Sequence, residues 1–235
     1  MVDFHSHILP QMDDGSRSVE MSLDMLAREA EQGVSLVVAT PHFYPLEEDP
    51  EQFLSRRTEA ERCLRDALGA KAGLPQVVVG AEVAYFRGMS DCDALRSLQI
   101  GDTAALLVEL PRAPWPEQVY RELLGIVTKQ NLTPIVAHVE RYLPSFRCRV
   151  FLDRLLELPI LLQANAGFFI DRKTGRKALN LLREGKLHLL GSDCHDLTER
   201  TPNIGAAEAL IGRYLGEKAL RNIRYSEQMV LQTNV

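Results

Sequence analysis

Short apolar segments alternate with longer amphipathic segments along the whole chain. Seven apolar segments are rich in β-branched residues or alternate with period two, which is typical of strands; they are residues 2–7, 35–40, 77–82, 104–110, 133–138, 160–165 and 187–191. Helical spacing of apolar residues predicts helices over 18–32, 50–72, 116–130, 146–157, 173–184 and 204–215, with a short run near 218–223. Gly33 is expected to end the first helix, and Pro116 lies in the first turn of the third.

The strict alternation of seven strands with helices predicts parallel strands joined by crossovers. An open doubly wound sheet and a closed barrel both fit this pattern. Neither GxGxxG nor GxxxxGK[ST] follows a strand, which argues against the common nucleotide-binding sheets. Because no low-complexity linker or internal repeat interrupts the pattern, residues 1–235 are expected to form a single domain.

Composition and charge narrow the class of protein. Hydrophobic residues make up 46% and charged residues 25% of the chain, as in globular proteins. A net charge of −5 argues against nucleic acid or an anionic membrane as a partner. No apolar run is long enough to span a membrane, and the first residues lack the pattern of a signal peptide. The four cysteines have no CxxC spacing, so we expect a cytoplasmic protein with reduced thiols.

Polar side chains gather where the predicted strands end. Five of the six histidines and four carboxylates share this placement: His5, His7, Asp14, His42, Glu82, Glu109, His138, Asp193 and His195. In a barrel, the carboxyl ends of all strands open onto one face, where active sites are built. So many ionisable groups on one face require a compensating cation, and divalent metal ions are the natural choice.

The His5-x-His7 spacing supports a metal site. Residues two apart on a strand point to the same side, so both rings can reach one ion while Phe4 and Ser6 face the helices. The donors are nitrogen and oxygen without a thiolate, which favours Mn, Fe or Zn in an open catalytic site. The sixth histidine, His188, lies inside the last strand and receives no role.

Six short motifs carry a resemblance to a known family. They are HSHILP at 5–10, DDG at 13–15, TPH at 40–42, GAE at 80–82, HVERY at 138–142 and SDCH at 192–195. The chain resembles the PHP (polymerase and histidinol phosphatase) superfamily. Within it, the chain is similar to the bacterial metal-dependent protein-tyrosine phosphatases encoded with capsular and exopolysaccharide synthesis genes. The similarity extends to about Thr201.

The resemblance implies a distorted (β/α)7 TIM-like barrel with up to three divalent ions, Mn²⁺ being favoured over Fe or Zn. One ion would take His5, His7, Glu82 and Asp193; a second would share Glu82 and add Glu109 and His138; a third would take Asp14, His42 and His195. Arg141 and Arg200 match the family's phosphate-binding arginines. The implied reaction is hydrolysis of phosphotyrosine by a metal-bridging hydroxide. The implied substrate is the autophosphorylated tyrosine kinase that regulates polysaccharide synthesis.

The sequence departs from the family pattern at several positions. Val139 stands where Pro is usual, Asp196 where Asn is common, and Thr201-Pro202 replaces a Pro-Pro pair. The chain has the Arg-Arg pair of the family's assembly motif at 56–57, but Phe53 stands where that motif has Glu. Whether the protein forms oligomers therefore stays open.

A cysteine-based mechanism competes with the metal-based one. Cys194 and Arg200 satisfy C-x5-R, the spacing of cysteine-dependent tyrosine phosphatases. That mechanism needs a low-pKa thiolate in a cradle of backbone amides, whereas this loop has no glycine and is acidic.

Three further functions fit a metal-binding barrel. They are a phosphatase for a small molecule such as a histidinol phosphate, a non-catalytic metal-binding regulatory module, and an amidohydrolase. The complete ligand set and both arginines argue against a module without activity. The amidohydrolase is disfavoured because an arginine pair suits phosphate better than an amide.

Overall fold

The computed structural model describes residues 1–69, 71–112, 114–143 and 148–231. The strands within these ranges are β1 (Val2–Ser6), β2 (Leu36–Ala39), β3 (His42–Phe43), β4 (Gln76–Val79), β5 (Glu82–Ala84), β6 (Ala105–Glu109), β7 (Thr133–Val136), β8 (Leu161–Asn165) and β9 (Leu189–Gly191). The helices are α1 (Val19–Glu31), α2 (Pro50–Leu68), α3 (Glu117–Gln130), α4 (Cys148–Leu156), α5 (Ala166–Ile170), α6 (Gly175–Arg183), α7 (Ile204–Leu215) and α8 (Glu217–Leu231). Short 3₁₀ segments cover Met89–Asp91, Asp93–Leu98 and Val139–Tyr142.

All strand pairs between these elements are parallel, as the alternation of strands and helices predicts. One sheet has the order β1-β2-β4 and the other the order β3-β5-β6-β7-β8-β9. The described residues therefore form an α/β structure around curled parallel sheets.

Two predicted strands are each broken into two pieces. The second predicted strand appears as β2 and β3, separated at Thr40 and Pro41, and the third as β4 and β5, separated at Gly80 and Ala81. Proline lacks an N–H for the ladder, and a Cβ at Gly80 would lie 3.0 Å from the Ile100 side chain. Glu82 therefore begins β5 instead of ending a longer strand.

The first and last strands approach each other at their carboxyl ends. The backbone N–H of Asp193 donates to the carbonyl of His5 at 2.7 Å, and that of His7 donates to the carbonyl of Cys194 at 2.9 Å. This curl brings residues from both ends of the chain to one edge of the sheets.

Two apolar clusters hold the strands. The larger one packs strands against helices. The smaller one joins residues of several strands, including Phe4, Val38, Leu107 and Leu189, and fills the inside of the curl. The prediction that Phe4 faces the helices is therefore wrong. The register of β1 against β2 shifts between Asp3 and Ser6, and this irregularity breaks the two-residue alternation.

Helix ends follow local signals where these exist. Ser18 caps α1 by accepting a hydrogen bond from the N–H of Met21, and Gly33 with φ of 84° follows the helix, as predicted. Asp49 caps α2, which ends at Leu68, four residues before the predicted end, because Gly69 turns the backbone to φ of 44°.

The remaining helices depart from the predictions in several places. Helix α6 begins two residues later than predicted, and α5 was not predicted. The short helix predicted near 218–223 appears as α8, which extends to Leu231 because buried residues, including Glu227, continue at helical spacing. Residues 146 and 147 of the predicted fourth helix lie outside the described residues. No helix in the described ranges has the length and apolarity needed to cross a bilayer.

Candidate active site

The predicted site residues converge at the edge where β1, β3, β5, β6, β7 and β9 present their polar ends. His5 lies on β1, His42 on β3, Glu82 at the start of β5 and Glu109 at the end of β6. The others lie in the segments that follow β1, β7 and β9: His7, Asp14, His138, Asp193 and His195. The structure brings all nine into one cluster, with Asp14 largely exposed and six of the nine buried.

Two imidazoles face each other at the centre of this cluster. The Nε2 atoms of His5 and His7 are 3.1 Å apart. Glu82 Oε2 lies 3.2 and 3.5 Å from these two atoms, and Asp193 Oδ1 lies 3.6 and 3.5 Å away. Two ring nitrogens at this distance can share only one proton, whereas a cation between them would satisfy both nitrogens and both carboxylates.

Glu82 lies between two groups of donors. Its Oε2 faces His5 and His7, while its Oε1 accepts a hydrogen bond from His138 Nε2 at 2.7 Å. Glu109 Oε1 lies 3.5 Å from the same His138 nitrogen. One carboxylate that faces both groups can bridge two cations.

A third group lies nearer to solvent. Asp14 Oδ1 is 3.3 Å from His195 Nε2 and 3.7 Å from His42 Nε2. His7 belongs to this group as well, since ligand atoms of all four residues lie within 4.8 Å of one another. The resemblance alone did not assign His7 here.

Unpaired buried atoms show that this donor set suits metal ions. His195 Nε2 is buried without a hydrogen-bond partner among the described residues, and Glu82 Oε2 has no partner in good hydrogen-bond geometry although His42 Nδ1 lies 2.9 Å away. Buried polar atoms are normally paired, so an imidazole nitrogen and a carboxylate oxygen without a well-oriented partner in this cluster fit cation binding.

Protonation favours the metal-binding form of three of the proposed ligands. Burial alone would raise the pKa of Glu82, but the charge of His5 and the hydrogen bond from His138 outweigh it, so the pKa lies well below its ordinary value. Burial lowers the pKa of His138, and burial together with the charge of His7 lowers the pKa of His195 to about 4. Near neutral pH, Glu82 is ionised and these two imidazoles are neutral, which are the forms that ligate metals. At His5 and His7, burial alone would lower the pKa, but the neighbouring carboxylates outweigh it and raise the pKa of both rings, so a metal ion would have to displace a proton there.

Two of the predicted residues have unusual backbone conformations. His138 has φ of 31° and Asp193 has φ of 54°, in the left-handed region that non-glycine residues seldom adopt. The N–H of His138 donates to Gln163 Oε1 at 2.7 Å, and the N–H of Asp193 donates to the His5 carbonyl. These bonds hold both side chains toward the cluster at the cost of local strain.

Both predicted arginines reach the same carboxylate. Arg141 Nη2 donates to Asp193 Oδ2, and Arg200 Nη2 donates to Asp193 Oδ1, each at 2.6 Å. Both arginine side chains are about 40% exposed, so part of each faces solvent. The unusual Asp196 accepts N–H bonds from Thr198 and Glu199, and so shapes the loop before Arg200.

Three polar residues around the cluster were missed from the sequence. Asp13 accepts a hydrogen bond from His7 Nδ1 at 2.7 Å. Gln163 Oε1 lies 3.3 Å from His5 Nδ1, and Asn165 donates to Asp193 at 2.8 Å. The DDG motif contained a signal for Asp13, and two polar positions at 163 and 165 of an otherwise apolar strand contained one for the others.

Cys194 does not face this cluster. Its side chain is fully buried, and burial together with the charge of Asp3 raises the pKa of the thiol well above its ordinary value. A nucleophilic cysteine needs an accessible thiolate of low pKa. The C-x5-R interpretation is therefore disfavoured by the structure.

A cavity of about 510 Å³ opens beside the cluster, with Asp14, His42, Tyr44 and Arg56 among its lining residues. The Tyr44 ring stacks on His42 with 5.0 Å between the ring centroids. A cavity of about 630 Å³ between α1 and α2 contains none of the nine predicted residues.

Comparison with known proteins identifies the family. A family model described as "Capsular polysaccharide synthesis, CpsB/CapC" matches residues 1–232. The chain belongs to the CpsB/CapC family. The resemblance drawn from the motifs is thus confirmed.

Relatives in this family match along most of their length. The tyrosine-protein phosphatase CpsB of Streptococcus pneumoniae is 28% identical, and the alignment covers 95% of this chain and 94% of that protein. The tyrosine-protein phosphatase YwqE of Bacillus subtilis is 29% identical, with 89% and 82% covered.

The fold of this chain also matches a crystal structure. That structure comes from work on YwqE of Bacillus subtilis and CpsB of Streptococcus pneumoniae as metal-dependent tyrosine phosphatases. It superposes with a TM-score of 0.86 at 23% identity, covering 100% of this chain and 96% of that one. The likeness shows that the two chains have the same fold.

Proposed function

We propose that this chain is a metal-dependent protein-tyrosine phosphatase. One observation carries the proposal: two facing imidazole nitrogens and two carboxylates surround one point, and two arginines reach one of those carboxylates. Membership of the CpsB/CapC family and the names of the relatives support the same reaction.

The proposed ligands are assigned to up to three ions. The first ion takes His5, His7, Glu82 and Asp193; the second takes Glu82, Glu109 and His138; the third takes Asp14, His42 and His195, with His7 close to them. A set of imidazoles and carboxylates without thiolates suits Mn²⁺, and it also suits Fe or Zn.

The protein's own groups are proposed to bind and orient the phosphoryl group. When bound, divalent ions supply the positive charge that activates water near neutral pH and stabilises the transferring phosphoryl group. Arg141 and Arg200 turn their exposed N–H groups toward the phosphate oxygens, which planar guanidinium groups match well. A phenol with a pKa of about 10 leaves more readily than an aliphatic alcohol, so the site needs no strong general acid. The half-exposed Tyr44 offers an aromatic face to the substrate ring.

The finer description of the fold is part of the proposal. We infer a distorted (β/α)7 barrel in one domain over residues 1–235, counting β2 with β3 and β4 with β5 as single interrupted strands. The backbone bonds between Gly80 and Ala39 and between Glu82 and Pro41, at 2.8 and 3.0 Å, support this count.

The substrate is proposed to be a phosphotyrosine protein in the cytoplasm. The candidate is the autophosphorylated tyrosine kinase that regulates polysaccharide synthesis, and this choice is drawn from the family alone.

The two arginines at the position of the family's assembly motif form contacts within the chain. Arg56 pairs with Glu48, and Arg57 donates to the carbonyl of Gly80. Sedimentation of the purified protein would test whether it forms oligomers.

The test compares substrates and ligand variants. We expect turnover of a phosphotyrosyl peptide to exceed that of the matched phosphoseryl peptide and of histidinol phosphate. A chelator should abolish turnover, and Mn²⁺ should restore it.

His188, a histidine outside the cluster, provides the matched control for the substitution of His5. His5→Ala should lose turnover, whereas His188→Gln should retain it, because His188 lies away from the cluster and accepts a bond from the N–H of Leu162. Equal rates on phosphoserine, or turnover that survives both chelation and His5→Ala, would refute the proposal.

A further inference from the structure

A second group of potential ligands lies on the helix side of β1, away from the candidate active site. It consists of Asp3 on β1, Glu29 on α1 and Cys194 after β9, each 0% exposed. One ligand atom from each residue lies within 4.8 Å of the other two. Three elements distant in sequence thus bring two carboxyl groups and a thiol together in one buried region.

Hydrogen bonding satisfies only part of this group. Asp3 accepts bonds from the N–H groups of His5 and Ser192 and from the Ser192 hydroxyl. Neither oxygen of Glu29 accepts a hydrogen bond from a described donor, and its neighbour is the Asp3 carboxyl, to which it can hydrogen-bond only by sharing a proton.

Positive charge is also missing from the group. Among the described residues, no lysine, arginine or histidine forms an ion pair with Asp3 or Glu29. Two buried carboxylates without a cationic partner are costly, so this pair must either hold a proton or bind a cation.

We propose that Asp3, Glu29 and Cys194 bind a thiophilic divalent cation of the zinc class. Such an ion would pair with the free oxygens of Glu29 and offset the charge of both acids. Binding requires the thiol and the Glu29 carboxyl to release their protons to solvent, as metal ligation by these groups always does. Because all three residues are completely buried, substrate has no access to an ion at this point, and its role would be structural.

This site differs from the candidate active site in its donors. The nine predicted residues of the active site offer only nitrogen and oxygen, whereas Cys194 adds sulfur. Softer ions prefer thiolate, and Mn²⁺ prefers carboxylate and imidazole, so the chain could bind different metals at its two sites. An ion here would tie α1 to the segments that carry His5 and Asp193.

A proton is the competing occupant of this space. Burial and the charge of Asp3 raise the pKa of Glu29, and burial also raises the pKa of Asp3, so this pair of carboxyls can share a proton when no cation is present. A shared proton and a bound cation make opposite predictions about sulfur ligation.

Cobalt substitution distinguishes the two occupants. The full-length protein is produced with Co²⁺ replacing zinc, and the near-ultraviolet thiolate-to-cobalt charge-transfer band is recorded. We expect this band in the wild type and its loss in Cys194→Ser. The matched variants Cys63→Ser, Cys92→Ser and Cys148→Ser should keep the band, because they remove the other thiols one at a time.

Glu29→Gln provides the second readout, since it keeps the shape of the side chain and removes its charge. We expect it to lower bound zinc by one equivalent per chain and to lower the melting temperature. Absence of the cobalt band in the wild type, or a Glu29→Gln variant with unchanged zinc and an unchanged or higher melting temperature, would overturn the proposal.

A measurement on the wild type covers the case in which the variants do not fold. X-ray absorption of the zinc-loaded protein should show a sulfur neighbour at about 2.3 Å. A spectrum with nitrogen and oxygen neighbours alone would also overturn the proposal, whereas the phosphatase proposal would be unaffected.

Discussion

Asp13 orients two of the proposed ligands without being one itself. Its Oδ2 accepts hydrogen bonds from His7 Nδ1 at 2.7 Å and from the backbone N–H of His42 at 2.9 Å. Its Oδ1 accepts the N–H of Gly15 at 2.9 Å. The carboxylate keeps the His7 proton on Nδ1, which leaves Nε2 free to bind a cation.

Asp13→Asn keeps the shape of this side chain but removes one acceptor. If the amide oxygen replaces Oδ1 and accepts the N–H of Gly15, the amide NH₂ group replaces Oδ2. It then faces His7 Nδ1–H and the His42 N–H, which are also donors, so neither hydrogen bond can form. The His7 ring then moves its proton to Nε2, on the side where a metal should bind. Loss of such a partner typically weakens metal affinity 10–100-fold, or by about 1.4–2.7 kcal/mol. A charge-assisted hydrogen bond contributes a similar ~1.5–3 kcal/mol.

The assay is a Mn²⁺ titration followed by calorimetry and by turnover of a phosphotyrosyl peptide. We expect Asp13→Asn to raise the dissociation constant at least tenfold and to recover most of its turnover at saturating Mn²⁺. Asp24→Asn is the matched control, because Asp24 is exposed on α1. Wild-type affinity in Asp13→Asn, or equal weakening in the control, would refute the reasoning.

Three more substitutions test separate parts of the structure. Arg200→Lys should lower kcat/KM for a phosphotyrosyl peptide about 10–100-fold, because a point charge replaces a fork of donors worth ~1.5–3 kcal/mol; an unchanged kcat/KM would exclude phosphate binding by this residue. Glu122 accepts the N–H of Ser90, and such bonds outweigh burial and lower its pKa from 4.5 to about 2. The ionised Glu122 therefore stabilises the folded state above pH 4.5, and this contribution is lost as the pH falls toward 2. In urea unfolding, the Glu122→Gln variant should have a free energy of unfolding about 1–3 kcal/mol below that of the wild type at pH 7. Near pH 2 the two proteins should be equally stable. Gly191→Ala places a Cβ 2.5 Å from His5 Cβ, so it should lower the free energy of unfolding by about 1–3 kcal/mol and weaken Mn²⁺ binding; wild-type values of both would contradict the observed contact.

The sequence was sufficient to predict which residues converge. Strand ends are local features, and parallel strands put their carboxyl ends on one edge, so residues such as His138 and Asp193 could be placed from the pattern alone. The orientation of Phe4 could not, because the irregularity in β1 depends on its pairing with β2. The role of Asp13 depends on the conformation of a loop, which apolar spacing does not encode.

Gln163 shows why the arrangement of the cluster is a property of the protein itself. Its single side-chain oxygen lies at hydrogen-bond distance from the ring of His5 and from the backbone of His138, at 3.3 and 2.7 Å. Its amide nitrogen donates to Asn165, which in turn donates to Asp193. This chain of bonds links three proposed ligands, His5, His138 and Asp193. The backbones of His138 and Asp193 are strained. Strain of this kind persists only where surrounding contacts hold it, so these hydrogen bonds, and not bound ions alone, fix the positions of the proposed ligands.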